Sequence, residues 1–354
     1  MMGWMWFVPL PPQTQNSQLK GYIRVSAALL VANKIRYNMI PSDRRLFFKQ
    51  AASLAGLAVL SPLEMLAAAP PQKMWFDISL AEWSLHKTIF TEKKITNLDF
   101  PGVARKDFGI GIVEYVNQMF ADKAQDFSYL HELVRRCNDN DVKSHLIMID
   151  GEGGLGDTDT KAREKAVENH YKWVNAARFL GCKTIRVNAF GKGTAEEVSK
   201  AAIDGLSKLG EYGAQVGINV IVENHGSYSS NGAWLANVMK TVNMKNVGTL
   251  PDFGNFCVKR ANGAEWGSAC IEEYDRYKGV GEMMPFAKGA SAKTNDFDAK
   301  GMCTETDYTK MLKVVKDSGF TGIIGIEYEG NTLSEYEGIR ATKKLLEKVG
   351  GAMR

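Results

Sequence analysis

Three carboxylates stand at the ends of short β-rich runs in this 354-residue sequence. Glu223 closes the run 218–223, Asp252 follows the run 247–250, and Glu327 lies in 323–328. A carboxylate at the inner end of a buried strand is costly unless something pairs with it. Several converging on one rim need a counter-charge. A bound divalent metal supplies one; Lys293 and Arg186, which also lie in β-rich runs, are the alternative source. Such a set suits proton abstraction next to a carbonyl. Two carboxylates on opposite sides of a substrate act as base and acid. A metal or a lysine then stabilises the enediolate between the two proton transfers.

Residues so far apart in the chain converge only if a repeating frame brings them together. Residues 75–80, 110–116, 144–149, 184–188, 218–223, 247–250, 288–293 and 323–328 are all β-rich, each starting about 30 to 40 residues after the one before. The intervals carry helical patterns. Residues 161–180 place Ala166, Val167, Tyr171, Val174, Ala177 and Leu180 at helical spacing, residues 196–215 form another such segment, and Gly181, Gly217 and Gly319 follow helices. Eightfold strand–helix alternation predicts an α/β fold, a (β/α)8 TIM barrel, as a single domain over residues 70–354. An open doubly wound sheet is the alternative. In a barrel, catalytic groups sit at the C-terminal ends of strands. Glu223 and Glu327, on the fifth and eighth strands, face each other across the mouth as the expected acid/base pair.

Other polar groups fall at the same level. Trp83 follows the first strand and either stacks on a ligand or packs. Glu114, Asn188 and Lys293 are either hydrogen-bond partners of a substrate or structural polar groups. His145, within the third strand, reads equally well as a core histidine. Gly151-Glu152-Gly153-Gly154-Leu155-Gly156 fits G-x-G-x-x-G, but the acidic residue a nucleotide site wants on a second strand falls inside a helix, and Glu152 would repel a phosphate. The stretch is read as a flexible active-site loop.

Val222-Glu223-Asn224-His225, Pro251-Asp252-Phe253-Gly254-Asn255 and Gly325-Ile326-Glu327 resemble the xylose-isomerase-like TIM-barrel family of sugar isomerases and epimerases. The resemblance runs over the body of the chain, about residues 75–348. It implies one divalent metal (Mn, Zn or Mg) held by Glu223, Asp252 and Glu327. The family's strand-seven motif, His-x-Lys-Asp, reads Ser291-Ala292-Lys293-Thr294 here, so the imidazole ligand is replaced by Ser291. Either His225 supplies an imidazole from strand five, or Lys293 takes the charge site and the enzyme is metal-free. A family histidine that contacts substrate is Asn255 here. The activity implied is sugar isomerisation or epimerisation, and no phosphate-cradling loop is evident, so an unphosphorylated sugar is expected. Loss of the strand-seven histidine leaves two alternatives: a keto-glycoside lyase using the same proton abstraction, or a non-catalytic sugar-binding barrel. The resemblance is compatible with a homo-oligomer.

The ends and the composition set the context. Residues 42–49 read Ser-Asp-Arg-Arg-Leu-Phe-Phe-Lys, an apolar run covers 51–60, and Ala67-Ala68-Ala69 follows. This predicts a signal peptide of the twin-arginine type over 39–69, with 1–38 as an upstream extension and export to the periplasm. The apolar run is too short to span a bilayer, so no stable membrane anchoring is expected. Residues 1–69 hold seven Lys/Arg and two Asp/Glu, leaving 37 basic and 38 acidic residues for the rest. A near-neutral body with five histidines excludes the basic face and His-rich multi-metal centre of a nucleic-acid repair enzyme. Export permits disulfides, and of Cys137, Cys182, Cys257, Cys270 and Cys303 the pair Cys257 and Cys270 could close one loop.

Overall fold

The structure, a computed structural model, describes residues 74–353 except 264–266. Its strands, in chain order, are β1 (Asp77–Ala81), β2 (Ile112–Val116), β3 (Lys143–Met148), β4 (Thr184–Val187), β5 (Asn219–Glu223), β6 (Val247–Leu250), β7 (Cys257–Arg260), β8 (Cys270–Glu273), β9 (Ala290–Thr294) and β10 (Ile323–Tyr328). Eight of them form one sheet in the order β6-β5-β4-β3-β2-β1-β10-β9, every neighbouring pair parallel. The ends of this order meet. Bridges Thr249↔Ala287 and Asp252↔Ser291, with hydrogen bonds from Ser291 N–H to Pro251 O (2.9 Å) and from Phe253 N–H to Ser291 O (3.0 Å), join β6 to β9. This is the (β/α)8 barrel the repeat predicts.

The helices are α1 (Phe100–Phe108), α2 (Phe127–Asp139), α3 (Thr160–Leu180), α4 (Ala195–Val216), α5 (Gly232–Val242), α6 (Arg276–Met283), α7 (Tyr308–Asp317) and α8 (Glu335–Ala352). Their ends are written in the sequence. Thr194 with Glu197, and Ser334 with Glu337, close reciprocal capping boxes that satisfy the first orphan N–H groups of α4 and α8. Gly181 and Gly217 take the left-handed conformation (φ 81° and 74°) that ends α3 and α4. The apolar stripes of the helices bury against the outer face of the sheet, where Trp173, Phe100, Tyr308 and Tyr328 are fully buried.

Three strands begin two residues later than their β-rich runs: Asp77 for 75, Ile112 for 110, and Ala290 for 288. The reason is visible at one of them: Ile110 N–H is taken by Ala104 O in the cap of α1. The export-signal and upstream-extension readings, residues 1–69, lie outside the described residues. Among the described residues no helix is long and apolar enough to cross a membrane.

One excursion departs from the repeat. Between β6 and α6 the chain leaves the barrel and forms the antiparallel hairpin β7–β8, whose second strand is exposed throughout. A disulfide joins Cys257 to Cys270 across it, while Cys137, Cys182 and Cys303 are free and buried. The loop it closes is short and local, so its chain-entropy contribution is at most about 3 kcal/mol. We expect the double variant Cys257→Ala, Cys270→Ala to lose about 1–3 kcal/mol in a denaturant titration, with faster amide exchange confined to the segment 255–274. A loss spread over the whole barrel would contradict this.

Candidate active site

Side chains of a strand alternate in direction, and neighbouring parallel strands place paired residues on one face. The register therefore puts Ser79, Gly325 and Ser291 side by side inside the barrel, then Ala81 with Glu114 and Leu146, then Met148 with Arg186 and Ile221, and at the top Glu327 with Lys293 and Glu223 with Leu250. Ala81, Val116, Leu146, Met148, Ile221 and Leu250 form a small apolar cluster of their own. The rest of the interior is polar and charged, and it is buried: Glu223 is 1%, Asp252 0%, Glu327 3%, Arg186 3% and Lys293 4% exposed.

Glu223, Asp252 and Glu327 each offer an oxygen to one point, all within 4.8 Å of one another. Ser291 Oγ lies 2.6 Å from Asp252 Oδ2 and 2.8 Å from Glu327 Oε2. A serine has one proton to donate, so only one of these carboxylates receives it. Asp252 Oδ1 accepts from the backbone N–H groups of Gly254 and Asn255, both at 2.8 Å. Lys293 Nζ reaches Glu327 Oε1 (3.2 Å) and Glu329 Oε1 (3.0 Å). Arg186 Nη1 donates to Asp150 Oδ1 at 2.8 Å. Its Nε lies 2.7 Å from Glu223 Oε2, yet neither of these two atoms makes a hydrogen bond, so the contact is an ion pair whose N–H points elsewhere.

Five carboxylates (Asp150, Glu223, Asp252, Glu327 and Glu329) thus share two cations. Burial pushes Glu223 well above the ordinary carboxylate range, and it also raises Asp252 and Glu327 despite Lys293 nearby. Lys293 is itself desolvated, but Glu327, Glu329, Asp252 and Glu223 together hold its ammonium well above its usual range. Asp150 is desolvated too, and Arg186 outweighs that and keeps it below the usual range. Three carboxylates this close either share a proton, so that one stays neutral, or all ionise around a divalent cation. The donor set fits the latter: three hard oxygen ligands at one point, with Glu223 Oε2 lacking a hydrogen bond.

Above the cluster lies a cavity of about 880 Å³ whose walls include Trp83, Asn188, Asn255, Lys293 and Glu327. Glu223 and Asp252 stand just behind the wall, where Asn255 Nδ2 donates to Glu223 Oε1 at 3.3 Å. The xylose isomerase-like TIM barrel family matches residues 104–349 of the sequence. The chain belongs to this family. Solved structures of similar fold include the 3-keto-D-glucoside 4-epimerase of E. coli, with a TM-score of 0.59 at 14% identity over 77% of this chain and 99% of that one. The IOLI protein with a bound zinc atom gives 0.58 at 16% over 79% and 99%. D-psicose 3-epimerase crystallised with D-fructose gives 0.58 at 13% over 78% and 100%. No curated protein sequence matches the chain significantly.

In this xylose isomerase-like barrel the residues expected from sequence fall into three groups. Glu223, Asp252 and Glu327 converge, and Asn188, Asn255, Lys293 and Trp83 line the cavity. Ser291 does not line it; its hydroxyl bridges two of the carboxylates from beneath. Glu114 is also withdrawn. It turns into the barrel interior, accepts from Ser79 Oγ at 2.6 Å, and occupies the space left by Gly325, where an added Cβ would come within 2.7 Å of its Oε2. Burial raises it to about 7. His225 stands outside the three-carboxylate cluster; its Nδ1–H donates to Asn188 Oδ1 at 3.1 Å, and burial together with Arg186 holds it neutral, down to about 3. The glycine-rich loop is not a free flap: Gly156 N–H donates to Phe190 O (2.9 Å), and Trp173 Nε1 and Lys172 hold Glu152.

Asp150, Glu329 and His86 were not assigned roles from sequence, yet all line the cavity. So does Arg186, expected only as a counter-charge. Asp150 and Glu329 follow the ends of β3 and β10, so the strand-end rule that selected Glu223 reaches them as well. The same rule reaches His86, in the turns after β1 that also carry Trp83.

Proposed function

We propose that this chain is a sugar isomerase or epimerase that moves a proton on a carbon next to a carbonyl of an unphosphorylated sugar. The convergence of Glu223, Asp252 and Glu327 beside the cavity, with Lys293 between Glu327 and Glu329, carries this reading. Glu327 lines the cavity and takes the proton. Glu223, on β5 in the same cluster and three strands round the closed barrel, is its acid/base partner. Lys293 puts a fixed positive charge beside the oxygen on which the enediolate charge develops. Asn188 and Asn255 orient the sugar hydroxyls. A divalent cation (Mn, Zn or Mg) held by Glu223, Asp252 and Glu327 would supply Lewis-acid polarisation of the substrate carbonyl.

Three of the four basic side chains that line the cavity are already engaged, the fourth being the exposed Lys192, and this favours a neutral ligand. Arg186 is bound to Asp150 and Glu223, Lys293 to Glu327 and Glu329, and Lys87 Nζ to Gly330 O (3.0 Å) and Asn331 Oδ1 (2.8 Å). A phosphate would have to compete with these partners in a site already rich in carboxylates. The Cys257–Cys270 disulfide suits an oxidising compartment, in keeping with export to the periplasm.

The deciding experiment incubates the protein with ketohexoses and 3-keto-glucosides in D2O, with and without Mn, Mg or Zn, and follows C–H exchange and products by NMR. We expect wash-in at the carbon next to the carbonyl, accompanied by an epimer or isomer. Release of the glycosidic leaving group instead would make the enzyme a lyase, and no exchange on any substrate would sink the enzymatic reading. For the metal, elemental analysis should find about one divalent ion per chain, and Asp252→Asn should lower occupancy at least tenfold under matched dialysis. Equal occupancy in the two would remove Asp252 from the ligand set.

A further inference from the structure

The acidic cluster and the cavity do not share a centre. Glu223, Asp252, Lys293 and Glu327 belong to β5, the end of β6, β9 and β10, which are consecutive around the barrel once the seam is closed. The cavity extends over the opposite arc, where its wall is built by the turns after β1 to β4: Trp83, Gln118, the 151–157 loop and Phe190. These turns contribute two half-buried aromatic rings, each backed by a histidine. Trp83 stacks on His86 (centroids 4.9 Å, 15°) and Phe190 on His225 (6.1 Å, 23°).

The size of the cavity points the same way. A hexose has about twelve non-hydrogen atoms; even at a water's full share of ~30 Å³ for each, it takes about 360 Å³. The cavity holds about 880 Å³, so a monosaccharide seated at the acidic cluster leaves more than half of it unfilled. The remainder combines flat apolar faces with amide and carboxylate groups, which suits the CH face and hydroxyl edge of a sugar ring. Of the four basic side chains that line it, Arg186, Lys293 and Lys87 are engaged by carboxylates and carbonyls and Lys192 is exposed, so the interior suits a neutral occupant.

We propose that the β1–β4 arc of the cavity is a subsite for the second ring of a glycoside, so that the substrate is a glycoside of two or more rings. This rests on the isomerase or epimerase reading only for which ring reacts. A reacting ring at a free reducing end opens to its own carbonyl, whereas a reacting ring whose anomeric carbon is locked in the glycosidic bond needs a ring hydroxyl oxidised first, by an oxidoreductase acting on the intact glycoside.

The test is equilibrium binding to the full chain by NMR titration, using D-glucose, D-fructose, cellobiose, maltose, trehalose and sucrose as probes. At least one disaccharide should bind ten times tighter than either of its monosaccharides. Trp83→Ala and Phe190→Ala, each checked for folding by circular dichroism, should reduce that ratio to threefold or less. The subsite is overturned if no disaccharide exceeds a threefold advantage, or if the ratio is unchanged in both folded variants. Because binding is read without turnover, a disaccharide preference without proton exchange on 3-keto-glycosides would reject the enzymatic reading and keep the subsite. Exchange on ketohexoses without a disaccharide preference would do the reverse.

Discussion

Glu327→Gln should lower kcat/KM by about 10²–10⁴ and abolish deuterium wash-in from solvent, while leaving the barrel folded. Glu327 is the member of the carboxylate cluster that faces the cavity, and an amide of the same shape cannot accept a proton at neutral pH. Folding should survive because the substitution keeps the volume and both hydrogen-bonding positions. Ser291 Oγ can still donate to one carboxylate, Asp252, and Lys293 keeps Glu329 at 3.0 Å. The measurement is the exchange rate in D2O on whichever keto-sugar the wild type turns over, with the denaturant midpoint as the control. Exchange at the wild-type rate would remove Glu327 as the base. A collapse of stability would show instead that Lys293 depends on Glu327 for its burial.

Arg186→Leu should cost about 3–5 kcal/mol of stability, the range for breaking a buried ion pair from one side. The guanidinium is almost wholly buried between Asp150 and Glu223, at 2.8 and 2.7 Å. Its removal leaves two desolvated carboxylates, one of them, Glu223, already raised by burial. The pH dependence follows from the direction of the shifts. In the wild type Asp150 titrates below its ordinary value, so its contribution is present above the unfolded pKa and lost as pH falls through the folded one. In the variant both carboxylates titrate above their unfolded values. Their stabilising protonated forms are then lost as pH rises, so the deficit should be larger at pH 8 than at pH 5. Urea titrations of both proteins at the two pH values check this, and a deficit that shrinks with rising pH would contradict the assignment.

The fold was legible because its cause is local and repeated. Eight β-rich runs separated by amphipathic segments leave few ways to bury both faces of the strands, and caps such as Thr194–Glu197 and Gly181 mark where helices start and stop. The hairpin β7–β8 was not legible: its second strand is wholly exposed and carries no buried-face pattern. Small shifts in strand starts came from backbone groups already spent elsewhere, such as Ile110 N–H on Ala104 O.

For the site, sequence alone determined that Glu223, Asp252 and Glu327 reach one rim, because strand direction and the barrel's polarity place every strand end there. Depth within that rim was decided only by the tertiary structure. Glu114 and Glu327 are both strand-borne glutamates, yet Glu114 turns into the interior onto Ser79 while Glu327 meets the cavity. The pairing of Arg186 with Asp150 and Glu223, and of Lys293 with Glu327 and Glu329, joins residues 34 to 37 positions apart in sequence. Strand stagger and barrel closure set which of these side chains share a level, and no spacing along the chain encodes that stagger.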